Sequence, residues 1–180
     1  MSATRWVALF RGINVGGNNK LPMAELRDLA TGLGFTDVAT YIQSGNLLFS
    51  APGTPEAIEA RLADGVASRF GFRPVILLRT VTEVESALAA NPFAERVTEG
   101  KQLHLYFLDG PADRFDEAVL RQLAVDGEDF ALIGGIFYLY ARDGIGRSKL
   151  AEKLPRHLPA RHSARNLNTV QAILALAHAG

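Results

Sequence analysis

The chain has no cysteine. That removes disulfides, thiolate metal sites and a cysteine nucleophile together, and it is compatible with a reducing compartment. It also lacks H-E-x-x-H and H-x-x-x-H pairs and any aspartate cluster, so neither a metal nor another cofactor is expected. No window approaches the roughly 18 uninterrupted apolar residues of a membrane span. The opening MSATRWVALFRG has no apolar core or small-residue cleavage site of a secretory signal. The expected address is therefore the cytoplasm, with no membrane partner. Net charge is formally zero, which argues against wholesale coating of nucleic acid.

What is present is ordinary in bulk and uneven in detail. The 180 residues are 48% hydrophobic and 21% charged, a soluble globular composition sufficient for one large or two small domains. Residues 142–165 hold seven Lys/Arg (Arg142, Arg147, Lys149, Lys153, Arg156, Arg161, Arg165) against two acids (Asp143, Glu152), a net +5 balanced by −5 elsewhere. Such a segment reads either as a basic binding face or as a solvated helix and loop.

Hydrophobic periodicity gives an element order. Residues 5–11 are apolar on both faces, as in a central strand. After a loop, Pro22 suits a first helical position, Met23, Leu26, Leu29 and Leu33 form one stripe, and Gly34 stops the helix. Strands at about 37–43 and 46–50 fold back at Ser44-Gly45-Asn46. Thr54 and Pro55 open a second helix with stripe Ile58, Leu62, Val66 and Phe70, closed by Gly71, and a strand follows at 73–79. This β-α-β-β-α-β order is that of a ferredoxin-like plait. Thr82 to Glu85 fits a capping box for a short helix ending near Asn91-Pro92. A strand at 101–108 alternates Leu103, Leu105 and Phe107 against His104 and Tyr106. A helix spans about 112–124, with Phe115, Val119 and Leu123 inward. A hairpin turns at Gly134-Gly135, and helices lie near 147–154 and 168–178. The second half reads β-α-β-β-α-α. The expected fold is α+β, two ferredoxin-like αβ plaits in tandem: 1–80, a helical junction 81–100, and 101–180.

The chemistry concentrates in RGINVGGNNK, residues 11–20. If strands 5–11 and 37–43 run parallel, as a strand-helix-strand unit requires, this loop and the turn 44–46 share one end of the sheet with the first helix's N-terminus. Unpaired N–H groups and the helix dipole attract phosphate or carboxylate there. Gly12, Gly16, Gly17 and Gly45 permit close backbone approach. Arg11 offers a bidentate fork, Lys20 a point charge, Asn14 and Asn46 neutral hydrogen bonds, and Ser44 a hydroxyl. Gly12-x4-Gly17 has the glycine spacing of a P-loop, but Asn18-Asn19 stand where Lys-Ser/Thr is needed, so a Walker A site is excluded. The competing reading is a strand-helix connection that needs left-handed residues, with asparagines as local caps. A second set, Arg165, Asn166, Asn168 and Thr169, precedes the last helix: Asn168 or Thr169 reads as its N-cap, and the arginine with the polar amides also reads as an anion-binding group. Of the four histidines, His104, His157, His162 and His178, the first reads as a half-exposed sheet residue, His157 and His162 lie in the basic segment without paired carboxylates, and Ser44 lacks a nucleophile elbow. The aromatic strand IFYLYA offers a base-stacking surface, though without the RNP1 pattern.

The stretch ALFRGINVGGNNKLPMAELRDLATGLGFTDVATYIQSGNLLF, with SKL and ARNLNTV further on, resembles the signatures of a mainly bacterial family, domain of unknown function 1697. Where that family's pattern reads R-N-W-N-T, this chain has Leu167 in place of tryptophan. The resemblance implies two αβ-plait subdomains. It marks Arg11, Gly12, Asn14, Gly16, Gly17, Lys20, Ser44, Gly45, Asn46, Arg165, Asn166, Asn168 and Thr169 as signature positions, without assigning an activity. The expected function is binding of a phosphate-bearing ligand, a nucleotide or nucleic-acid end. The alternatives are an enzyme acting on a phosphorylated small molecule and a structural or protein-interaction module.

Overall fold

The computed structural model describes residues 2–179. In chain order the elements are β1 (Thr4–Arg11), α1 (Met23–Gly32), β2 (Thr36–Tyr41), β3 (Asn46–Ala51), α2 (Pro55–Phe70), β4 (Val75–Thr80) and α3 (Val81–Ala89). There follow β5 (Leu103–Asp109), α4 (Glu117–Leu123), β6 (Glu128–Ile133), β7 (Ile136–Ala141), α5 (Lys149–Lys153), β8 (Arg161–Asn166) and α6 (Leu167–Ala179). The chain clusters into two compact units: Ser86–Gln171, and the chain up to Glu85 together with Ala172 onward. The division therefore falls within α3 and within α6.

In the first unit the strands are ordered β2-β3-β1-β4. β3 is antiparallel to both β1 and β2, so β1 and β2 point the same way and end at the same end of the sheet, as expected from the sequence. Trp6 to Phe10 are all buried, which makes β1 a central strand. Trp6, Ala8 and Phe10 join Leu47, Phe49 and Ile76 in a core closed by Met23, Leu26 and Ala30 of α1 and Ile58, Leu62 and Val66 of α2. α2 begins where Thr54 accepts a hydrogen bond from the Ala57 N–H (3.2 Å) and ends at Gly71, φ +80°. Each of these caps stabilises the helix by about 1 kcal/mol. The capping box lies two residues earlier than expected. The Glu83 carboxylate accepts from the Thr80 N–H (2.7 Å) and Thr80 Oγ1 from the Glu83 N–H (3.0 Å). TVTEVE, residues 80–85, offers the motif from either threonine, and α3 starts directly after β4.

The second unit has the order β6-β7-β5-β8, all antiparallel. The expected order lacked a fourth strand, and β8 is that strand. RHSARN has no apolar alternation, but its backbone pairs with β5 from His104↔Asn166 to Asp109↔Arg161. Three further expectations are corrected. Tyr106 does not face outward: it is buried, edge-to-face on Phe137 at 5.9 Å, because β5 is covered on both faces. α4 is shorter than 112–124, since residues 112–115 form a turn and Asp116 caps the helix. Leu120 is therefore the buried residue and Val119 is exposed. The rings of Phe137, Tyr138 and Tyr140 are interior, with the Tyr138 hydroxyl donating to Ala87 O at 2.7 Å, so IFYLYA presents no base-stacking surface.

Sheet edges attract unwanted strand addition, and here a charged network covers β6. Arg121 donates to Asp129 (2.6 Å) and to Phe130 O (3.2 Å), and its guanidinium lies 3.9 Å from the centroid of the Phe130 ring. Asp129 also accepts from Arg96 (2.9 Å) and from the Phe130 N–H (2.8 Å).

Burial alone would raise the Asp129 carboxyl, but the hydrogen bonds from Arg121, Phe130 N–H and Arg96 outweigh it and hold the pKa below the ordinary value. His104 has a buried Nδ1 that bonds to no other described group, and desolvation lowers its pKa from 6.5. Both groups bind a proton more readily in the unfolded chain. Each therefore contributes stability that is complete above its unfolded pKa and is lost as pH falls. The midpoint of urea unfolding should decline from neutral pH downward, through His104 below about pH 6.5 and through Asp129 below about pH 4. Asp129→Asn should flatten the lower limb, and the His104 ring should titrate by NMR below 6.5. A urea midpoint independent of pH would contradict both assignments.

Candidate functional site

The loop 11–20 leaves β1 as a miniature hairpin. Val15 and Asn18 form a bridge closed by the Asn18 N–H to Val15 O bond (3.0 Å). Between them Gly16 and Gly17 have φ +60° and +77°, the two left-handed positions of a type I′ turn. Gly12 (φ +71°), Asn14 (+54°) and Asn19 (+51°) are left-handed too. The loop's glycine and asparagine content therefore has a conformational origin, as the competing reading of the sequence holds.

Asn14 does most of the positioning. Its Nδ2 donates to Leu21 O (2.9 Å) and Gln43 O (2.8 Å), and its Oδ1 accepts from the Leu21 N–H (2.7 Å). One side chain thus joins the loop, the entry to α1 and the β2–β3 turn, and both of its amide hydrogens are used. Asn19 Nδ2 donates to Gly12 O at 3.1 Å. The turn is fixed in a similar way: the Phe10 N–H donates to Gly45 O (2.9 Å), and fully buried Asn46 donates to Tyr41 O (2.9 Å) and Ser44 Oγ (3.4 Å). Gly45, φ +92°, sits so close beneath Ile13 and Phe10 that a Cβ there would lie 2.6 Å from carbons of each. Ile42 is left-handed (φ +50°) and half exposed. That is a strained conformation for a β-branched residue, and nothing in the sequence signals it.

The structure thus brings Arg11, Gly12, Asn14, Gly16, Gly17, Lys20, Ser44, Gly45 and Asn46 to one end of the first sheet. Arg11, Lys20, Ser44 and the two turn glycines are exposed. α1 begins at Pro22 with no side-chain cap, leaving its first-turn N–H groups without that partner. Glu25 in that turn pairs with Arg69 at 4.0 Å. Sequence reasoning missed Leu21 and Gln43, whose backbone groups complete the Asn14 clamp.

Arg165, Asn166, Asn168 and Thr169 belong to the second unit, at the β8–α6 junction. Arg165 is buried, with its guanidinium donating to Ser163 Oγ and Ala164 O, both at 2.8 Å, and desolvation draws its pKa down to about 10. Asn166 Oδ1 accepts from the Thr169 N–H (3.0 Å) and so caps α6, two to three residues earlier than the expected caps Asn168 or Thr169. Exposed Asn168 lies against Gly100, where a Cβ would come within 2.0 Å of its Oδ1. Thr169 is buried. Among the described residues no cluster of His, Asp or Glu could hold a metal ion, and no helix is long and apolar enough to cross a membrane.

These features define a two-unit α+β protein with a donor-rich surface at the end of its first sheet. The family model described as "Protein of unknown function (DUF1697)" matches residues 3–138, and the chain belongs to that family. It is similar to the solved structure of the conserved bacterial protein SP0830 from Streptococcus pneumoniae, at 27% identity and a TM-score of 0.75, covering 97% of this chain and 99% of that one. Comparison with curated proteins finds no match.

Removing the clamp tests this geometry. Asn14→Ala loses three hydrogen bonds, two of them partly buried, and should cost about 2–3 kcal/mol in urea unfolding, with faster amide exchange at Leu21. Gly45→Ala combines left-handed strain with overpacking and should cost about 3 kcal/mol. Gly16→Ala, with open space around it, should cost about 1 kcal/mol. Equal costs for the two glycine variants would show that the close contact at Gly45 is absent.

Proposed function

We propose that the protein is a cytoplasmic binding protein for a phosphate-bearing ligand, a nucleotide or a nucleic-acid end, held at the end of the first sheet. We also read both units as ferredoxin-like plaits, a reading supported by the strand orders β2-β3-β1-β4 and β6-β7-β5-β8. The observation that carries the functional reading is the Asn14 clamp, which draws the loop 11–20, the turn 42–45 and the uncapped start of α1 together. Beside apolar Val15 and Ile42, neutral amides and Glu25, which pairs with Arg69, those segments expose two cations, a hydroxyl and backbone N–H groups. Residues 11–20 and 41–46 contain no carboxylate and no imidazole. The surface therefore favours an anion and supplies no general base, which supports binding over catalysis.

In thermal-shift titrations, inorganic phosphate, nucleotides and short 5′-phosphorylated oligonucleotides should include a stabiliser. Ligand at about 100-fold above Kd stabilises by about 2.7 kcal/mol, a rise of several degrees for a chain of this size. Arg11→Ala/Lys20→Ala should fold normally and lose the shift. If no phosphate compound stabilises the protein, or if the double variant responds like the parent, the anion site is wrong.

A further inference from the structure

Twelve of the 19 Lys/Arg are engaged within the protein, through carboxylates in the pairs of Arg69, Arg73, Arg96, Lys101, Arg121, Arg142 and Arg161 and otherwise through backbone or hydroxyl acceptors of Arg5, Arg27, Arg61, Arg79 and Arg165. Arg11 also has an interaction within the chain. Among the described residues the exceptions are Lys20, Arg114, Arg147, Lys149, Lys153 and Arg156, all of them exposed. All but Lys20 fall in one place in the second unit. Lys149 and Lys153 stand one turn apart on α5, Arg147 immediately precedes its cap Ser148, and Arg156 lies in the 3₁₀ turn Leu154–His157 that continues it. His157 Nδ1 lies 3.3 Å from Arg114 O, which brings Arg114 alongside.

The opposite side of this segment is anchored. Leu150, Leu154 and Leu158 are fully buried in the second unit's core with Phe137 and Leu139. With those leucines inside, the cations are held outward on a fixed ridge. The acids among them are Glu152 and Asp113; Asp143 is spent on Arg142 at 3.6 Å.

We propose that this ridge is a contact surface for the phosphate backbone of a nucleic acid. It lies in a different unit from the loop 11–20 and does not depend on that site. Seven residues of helical rise, Lys149 to Arg156, span about 10 Å, the length of about three phosphates along one strand. The ridge exposes no large apolar side chain, so it lacks the anchor that binding in a membrane interface requires. Without a groove or base-reading side chains, the contact is to the backbone and independent of sequence.

The test is fluorescence anisotropy of the full chain with labelled duplex and single-stranded oligonucleotides of about 20 nucleotides, over about 50–200 mM salt. Four or five phosphate contacts predict a log K against log salt slope of about −4 on duplex, at about 0.9 per contact. Lys149→Gln/Lys153→Gln, at exposed positions that leave the melting temperature unchanged, should make the slope shallower by about 2. With 5′-hydroxyl oligonucleotides, which offer no end phosphate to the loop 11–20, Arg11→Ala/Lys20→Ala should keep the parental slope, and this control separates the two sites. The proposal is overturned by an absence of binding at the lowest salt, or by a slope that the Lys149/Lys153 variant leaves unchanged. It is equally overturned if poly-glutamate displaces the oligonucleotide as well as unlabelled oligonucleotide does, since the ridge would then read any acidic chain.

Discussion

The candidate site at the end of the first sheet depends on one carboxamide. Sheet direction alone brings the β1–α1 connection and the β2–β3 turn to the same end, but only approximately. The Asn14 amide closes the remaining distance by bonding to Leu21 on both its N–H and its C=O and to the Gln43 carbonyl. Each such bond contributes about 1 kcal/mol net. Their effect on geometry exceeds their effect on stability, because three segments separated by up to 29 residues become one surface.

This changes how the loop's composition should be understood. Gly12, Gly16, Gly17, Asn14 and Asn19 all have positive φ, and the asparagine amides are spent on backbone carbonyls. A loop that reads as a row of ligand donors is first a solution to a backbone problem. The two roles do not compete for the same atoms, however. Turn glycines that satisfy a type I′ geometry still expose their N–H groups, and Arg11 and Lys20 stand at the ends of the loop. The residues that meet the conformational need are also the ones the proposed anion site would use.

Legibility in the sequence followed the strength of local signals. The apolar run of β1, the stripe and caps of α2 and the Gly134-Gly135 hairpin were readable because periodicity and turn chemistry agree there. β8 was invisible because RHSARN carries no apolar alternation. It is an edge strand with one neighbour, and buried Ser163 and Arg165 satisfy each other across one face. The helix α4 was displaced because Asp116, rather than an earlier residue, caps it, and that shift rotates the buried stripe from Val119 to Leu120. At the candidate site the side chains were identifiable from sequence, but their partners were not. Leu21 and Gln43 act through backbone atoms, which no residue pattern encodes, and tertiary packing alone determines that Arg165 is interior.

The basic segment 142–165 shows why formal charge is a poor guide to accessible charge. Its net +5 is divided by the fold into two populations. Arg142 and Arg161 are neutralised by Asp126, Asp143 and Asp109, and Arg165 is desolvated to a pKa of about 10, still protonated at neutral pH but turned inward. Arg147, Lys149, Lys153 and Arg156 have no such partners and are kept outward by the leucines beneath them. The attraction a chain of zero net charge can exert on a polyanion is set by that second population. It is local, short-ranged and sensitive to salt. In the proposed contact, zero net charge would disfavour indiscriminate coating of nucleic acid while one outward ridge could still touch it.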